Sequence, residues 1–267
     1  MKTGYLKRPD CSIYYEVFGS GPALVFAHGL GGNHLSWWQQ VPHFAARYTC
    51  VVFSHRGFLP SSAVPGDAAP DAYAEDLAAL IEALKLDEVR LVAQSMGGWT
   101  CLEYALRHPG RVRALVMAST SGAIDFRKLP AAVSGEIRDW LQRAPEIMAD
   151  LESRDLLLAC GERMEREQPA AATLYRQISQ LTPAAFRAAV RARIFQMRSQ
   201  SPDRLAELPM PVLFVTGDED CLFPSAAGPV LAAIAPRGRA VRVPETGHSV
   251  YFERGVEFNC IVEEFLS

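Results

Sequence analysis

The sequence predicts an α/β fold, a doubly wound and mostly parallel sheet interrupted by a helical insertion. Three observations lead there. Short aliphatic runs alternate with amphipathic segments through residues 1–121. The runs are apolar at nearly every position, as suits strands covered on both faces. The strand pattern then stops over 122–203 and resumes within 204–267.

Each element has its own signal. Tyr5 and the stretch Ser12 to Phe18 precede the alternation and read as an antiparallel edge, closed by Gly19-Ser20-Gly21-Pro22. Ala23 to Ala27, Thr49 to Phe53, Val89 to Ala93 and Val112 to Ala118 are strands bounded by turn residues. Tyr73, Leu77, Leu80, Ile81 and Leu84 recur at helical spacing, with Asp71 as the expected N-cap. Glu75 and Asp76 then favour the positive end of the helix dipole. Met96 to Arg107 is a further helix, stopped by His108-Pro109-Gly110. Strand–helix–strand alternation implies parallel pairing.

In the insertion, Phe186, Val190, Ile194 and Met197 mark one helix, and Ile137, Trp140 and Leu141 another. We read 122–203 as a helical cap on a core built from 1–121 and 204–267. Pro211 to Thr216 and Ala240 to Val243 restore the strands. Phe258, Ile261, Val262 and Phe265 form the apolar stripe of a last helix.

Composition narrows the function. With 267 residues, 49% hydrophobic and 21% charged, the chain has the balance of a globular protein and room for one large core or a core plus a small accessory domain. A net charge of −3 gives no long-range attraction to nucleic acid or an anionic membrane. The arginines between Arg187 and Arg198 alternate with apolar residues and are expected on a solvated helix face. Met1 to Asp10 has no apolar run of signal-peptide type, and no run approaches the roughly 20 residues of a membrane span. Cysteines 11, 50, 101, 160, 221 and 260 never form a C-x-x-C pair, so reduced, packed thiols in a cytoplasmic protein are expected, with a disulfide left open. No metal or cofactor is expected. The expected partner is a small-molecule, ester-like substrate; monomer and homodimer both stay open.

Val89-Arg90-Leu91-Val92-Ala93-Gln94-Ser95-Met96-Gly97-Gly98 carries the chemistry. An apolar strand runs into a small-x-Ser-x-Gly turn, and a helix follows at once. Ser95 is thereby lifted above the sheet edge at a helix N-terminus, where the dipole favours developing negative charge. Small residues on either side let strand and helix backbones approach. Of the six histidines, only His248 follows a late strand, next to a glycine that turns the loop inward. His108 belongs to a helix stop. His43 and His55 read as surface or loop residues. His34 lies near the Gly-rich segment after the third strand, placed to touch substrate or to start a helix.

These motifs resemble the α/β-hydrolase superfamily, in particular its capped serine esterases and C–C bond hydrolases, from Gly21 to Phe265. The resemblance implies an eight-stranded sheet. The family has glycine two residues before the nucleophile, where this chain has Ala93. Phe26-Ala27-His28-Gly29-Leu30-Gly31-Gly32 looks like the family's oxyanion loop, which implies the backbone N–H groups of Leu30 and Met96 as the oxyanion hole and a structural His28. One such donor is worth about 3–4 kcal/mol of barrier. Gly217, Asp220 and Pro224 match the family's acid turn and imply Asp220 as the carboxylate that orients His248. Asp218 then closes the turn, and Asp125 is a poorer candidate. The order Ser95, Asp220, His248 is the order this fold uses. In Ser54-His55-Arg56-Gly57-Phe58, Ser54 replaces an acid common in relatives, and Arg56 is expected to anchor the loop.

A serine nucleophile suits acyl transfer and argues strongly against the dehalogenase and epoxide-opening branches, which need a carboxylate there. We expect small to medium, largely apolar, neutral carboxylic esters as substrates. His34, Trp38, Phe126, Trp140 and Phe223 are the candidate substrate contacts. The alternatives are a C–C bond hydrolase of ring-cleavage products, a cofactor-free perhydrolase or lyase with the same triad, and a non-catalytic ligand receptor on the same fold.

Overall fold

The computed structural model describes residues 1–62, 69–129 and 135–267; residues 130–134 of the expected cap lie outside these. Eight strands form one sheet: β1 (Lys2–Lys7), β2 (Ser12–Phe18), β3 (Ala23–Ala27), β4 (Thr49–Phe53), β5 (Val89–Gln94), β6 (Val112–Ala118), β7 (Val212–Gly217) and β8 (Gly238–Val243). Their order is β1-β2-β4-β3-β5-β6-β7-β8. The β1–β2 and β2–β4 pairs are antiparallel; the remaining pairs, from β4–β3 to β7–β8, are parallel.

The unbroken apolar runs follow from burial on both faces. In β3, Val25 and Ala27 join one core while Leu24 and Phe26 join the other. In β6, Leu115 and Met117 face the first and Val116 and Ala118 the second. Neither face meets water, so neither tolerates polar alternation.

The helices are α1 (Gln40–Phe44), α2 (Tyr73–Ala83), α3 (Gly97–Arg107), α4 (Glu136–Ser153), α5 (Glu162–Glu167), α6 (Pro169–Gln180), α7 (Ala184–Met197), α8 (Ala227–Ile234), α9 (Val250–Glu253) and α10 (Gly255–Leu266). Leu77 and Ile81 of α2, Leu102 of α3 and Leu231 of α8 cover the first face. Phe44 of α1 and Phe258 and Val262 of α10 cover the second. Helices α4 to α7 form the cap between β6 and β7. A third apolar cluster joins Val190 and Ile194 of α7 to Met96 and Trp99 beside the predicted nucleophile.

Local expectations needed correction. Helix α2 starts at Tyr73 with Ala72 as its N-cap, because Asp71 is drawn instead into a two-pronged pair with Arg193 of α7 at 2.8 Å. His55 is buried rather than at the surface. All the cysteines are free thiols, five buried and Cys260 exposed. No helix among the described residues is long and apolar enough to cross a membrane.

Candidate active site

Strand β5 delivers Ser95 to the carboxyl edge of the sheet with φ of +47°, a left-handed conformation that a non-glycine residue adopts only when its surroundings impose it. They do. The Ser95 amide donates to the Ala118 carbonyl at 3.0 Å, and Gly98 N–H donates to the Ser95 carbonyl at 2.9 Å. At Gly97 an added Cβ would lie 2.1 Å from the Ala27 carbonyl oxygen, so the start of α3 can pass β3 only with glycine. Ala93, where the resembling family has glycine, sits fully buried between Ala27 and Met117 in register, and the elbow forms around it.

The Gly29 turn approaches from the end of β3; an added Cβ there would lie 3.2 Å from Ser95 Cβ and 1.9 Å from Gln94 Oε1. Neither the Leu30 nor the Met96 amide donates a backbone hydrogen bond among the described residues. Beneath this turn His28 Nδ1 meets the Gly29 carbonyl at 2.8 Å, and its Nε2 accepts from the His55 amide at 3.0 Å. Burial pushes the His28 pKa down to about 3 and holds His55 well below its ordinary value. Both are neutral structural groups.

The loop after β8 brings in His248. Its Nδ1 lies 2.8 Å from Asp220 Oδ2 and 3.0 Å from Oδ1, with both side chains buried. Paired with a carboxylate acceptor, the ring is held in the tautomer that donates from Nδ1. Asp220 is fixed in turn by the Leu222 and Phe223 amides, which donate to Oδ1 at 2.7 and 2.9 Å. Asp218 makes no side-chain hydrogen bond among the described residues and is exposed; Asp220 itself, not Asp218, closes the turn. Asp125 belongs to another network, paired with Arg127 at 2.7 and 3.0 Å.

Sequence reasoning missed Glu253. Its buried carboxylate accepts from the amides of Gly247 and Ser249, one on each side of His248, at 2.9 and 3.0 Å. It also accepts from Gly161 of the cap at 2.9 Å. Burial raises its pKa against the opposing pull of those three amides. The only trace in the sequence is a glutamate in an otherwise apolar helix start.

Ser95 and His248 line one cavity of about 460 Å³, together with Leu30, Met96, Trp99 and Phe223. Ser95 and His248 are not hydrogen-bonded to each other here; such bonds are often long in free enzymes and tighten on substrate. Ser119, directly after β6, contributes to the same wall a buried Oγ with no hydrogen-bond partner among the described residues. The cap lines the cavity with Met148, Ile194, Phe195 and Arg198.

Four of the five predicted contacts lie elsewhere. Trp140 donates Nε1–H to the Asp220 carbonyl at 2.7 Å, bracing the acid turn from behind. Phe126 packs edge-on against Phe223 at 5.5 Å, behind the wall that Phe223 forms. Trp38 is 47% exposed and rests on Phe252, outside the cavity. His34 is buried beneath the first strands, with Nδ1 3.0 Å from Ser54 Oγ and Nε2 3.7 Å from Glu16. Arg56 anchors its loop as expected, gripped by Asp76 at 2.7 Å through two nitrogens and by Asp10.

A family model described as alpha/beta hydrolase fold matches residues 22–255. A pimeloyl-acyl-carrier-protein methyl ester esterase of Aeromonas hydrophila is 27% identical, covering 96% of this chain and 99% of its own. Among solved structures, Est816, an N-acyl homoserine lactone degrading enzyme, shares 25% identity at a TM-score of 0.79, with 98% of this chain and 100% of that one covered. A thermophilic esterase from Thermogutta terrifontis superposes with a TM-score of 0.78 at 24% identity, covering 100% of this chain and 98% of its own, a likeness of fold.

Proposed function

Because the chain belongs to the alpha/beta hydrolase fold family, we propose that it is a serine hydrolase that cleaves small to medium, largely apolar carboxylic esters through an acyl-enzyme. One observation carries the reading. A serine at φ +47° and a histidine doubly held by a buried aspartate open into the same cavity, at the carboxyl edge of a parallel sheet.

In the proposed reaction His248 Nε2 takes the Ser95 hydroxyl proton as Oγ attacks the ester carbonyl. The carbonyl π pair moves onto oxygen, where the Leu30 and Met96 amides are the proposed donors. The tetrahedral intermediate collapses, the bond to the alkoxide breaks, and His248 returns its proton to the leaving oxygen. Water then attacks the acyl-enzyme while His248 takes a proton from it; the Ser95 Oγ–carbonyl bond breaks and Oγ recovers that proton. Asp220 keeps the proton on Nδ1 and stabilises the imidazolium.

The mainly apolar wall and the cavity volume, within the range of small-molecule sites, support a compact apolar acyl or alcohol group. Stopped-flow hydrolysis of p-nitrophenyl acetate, butyrate and octanoate tests this. An initial burst near one equivalent of p-nitrophenol and a preference for the short or medium acyl chain are expected. A folded sample that turns over none of them contradicts the reading.

A further inference from the structure

Arg198 directly follows α7, and its guanidinium lines the same cavity as Ser95 and His248. Three rings surround it, with centroids 5.1 Å away in Trp99, 5.2 Å in Phe195 and 5.3 Å in Phe126. No hydrogen bond or ion pair joins the guanidinium to any described residue, and Nε is buried with no partner. Asp125 is a nearby carboxylate, and both its oxygens are already held by Arg127. Glu152 also lines the cavity, on its exposed side, and forms no ion pair with Arg198.

The contrast with Arg56 is informative. Asp76 and Asp10 raise the Arg56 pKa above its ordinary value, whereas burial lowers that of Arg198 to about 10. Arg198 therefore stays charged at neutral pH without a counter-ion. Ring faces attract a cation, but they leave the in-plane N–H donors of the fork unmet. A desolvated, unpaired cation costs free energy until an anion arrives, and a planar fork fits a carboxylate through two parallel bonds.

We propose that Arg198 is the subsite for a carboxylate carried by the substrate away from the scissile ester. The substrate is then a monoanion with an apolar body, one end held at Arg198 and the other presented to Ser95. This substrate class rests on the serine-hydrolase reading and revises its neutral ester. It also revises the solvated helix face expected for Arg198.

The test uses two series of monoanions. Mono-p-nitrophenyl esters of succinic, glutaric and adipic acid carry the carboxylate on the acyl side; acetate esters of short ω-hydroxy acids carry it on the alcohol side. Each is compared with a neutral ester of equal length. The wild-type protein is expected to favour the anion in at least one series, by kcat/KM. Arg198→Gln should lower that preference by roughly ten- to a hundredfold, the worth of a charge-assisted pair. Arg198→Lys, which keeps the charge without the fork, should recover part of it and carries the test if the glutamine variant does not fold. Labelling of Ser95 by a neutral phosphonate reports that each variant keeps its site. Wild-type protein with no anion preference in either series, or a preference that survives Arg198→Gln within about twofold, overturns the subsite. Failure of wild type to turn over any ester or to be labelled overturns the serine-hydrolase reading itself.

Discussion

Asp220 meets the Nδ1 of His248 with both carboxylate oxygens, at 2.8 and 3.0 Å, while Oδ1 also accepts from two backbone amides. Asp220 is thus held by backbone as well as by His248. Asp220→Asn keeps Oδ1 for the Leu222 and Phe223 amides but turns an NH₂ toward the ring. The imidazole must then accept at Nδ1 and carry its proton on Nε2, the wrong tautomer for taking the serine proton. We expect kcat to fall by about 10⁴-fold with little change in melting temperature. A loss below tenfold would show that Asp220 does not set the tautomer.

Glu253 acts through backbone. Its two oxygens take three amides, and those of Gly247 and Ser249 bracket His248. Glutamine offers one oxygen and leaves at least one buried N–H unmet. Glu253→Gln should therefore destabilise the fold by about 1–3 kcal/mol in urea titrations. It should also lower kcat more than it raises KM, because the displaced group is the proposed base rather than a substrate contact. Unchanged stability would contradict this.

The elbow makes opposite predictions for its two small residues. Gly97→Ala places a methyl 2.1 Å from a backbone oxygen, which has no soft neighbour to yield, and should abolish activity and lower the melting temperature sharply. Ala93→Gly removes a methyl from a strand that already closes the turn. It should cost about 1 kcal/mol and leave turnover within about threefold. Equal losses in the two variants would mean that the close pass of α3 across β3 is not what positions Ser95.

Buried histidines set an acid limit on stability. The folded pKa of His28, about 3, lies below an ordinary value near 6.5. The folded state therefore binds fewer protons than the unfolded chain between those limits. The contribution of neutral His28 is fully present above about pH 6.5 and is lost as pH falls toward 3, by up to about 1.4 kcal/mol per pH unit. His55 acts in the same direction, and Glu253, whose pKa burial raises, in the opposite one. The measurement is urea stability at pH 8, 7, 6 and 5 in wild type and His28→Gln. A steeper loss in wild type below pH 6.5 is expected; parallel curves would contradict it.

Strands β3, β4, β5 and β6 were legible because burial on both faces leaves an unbroken apolar run, and the elbow because its turn demands small residues at fixed offsets. His248 was legible from its place after the last strand, and Asp220 from its family-like turn. The cap was less so. Arg198 and Arg191 both follow an apolar residue and both line the cavity, yet one lies among three aromatic rings and the other is exposed. That difference is set by how Val190 and Ile194 of α7 pack with Trp99, a tertiary packing without local periodicity. Trp140 and Phe126 were misjudged for a related reason. Both stand one layer behind the wall, where apolar bulk looks the same in sequence as bulk that touches substrate.

The central claim is that Ser95 is the nucleophile of an acyl-transfer site. A fluorophosphonate probe followed by intact-mass and peptide mass spectrometry tests it most directly. We predict a single adduct on the peptide carrying Ser95, absent in Ser95→Ala and blocked by prior incubation with a slowly hydrolysed ester. A folded protein that takes up no probe, or takes it up equally well in Ser95→Ala, would contradict the claim.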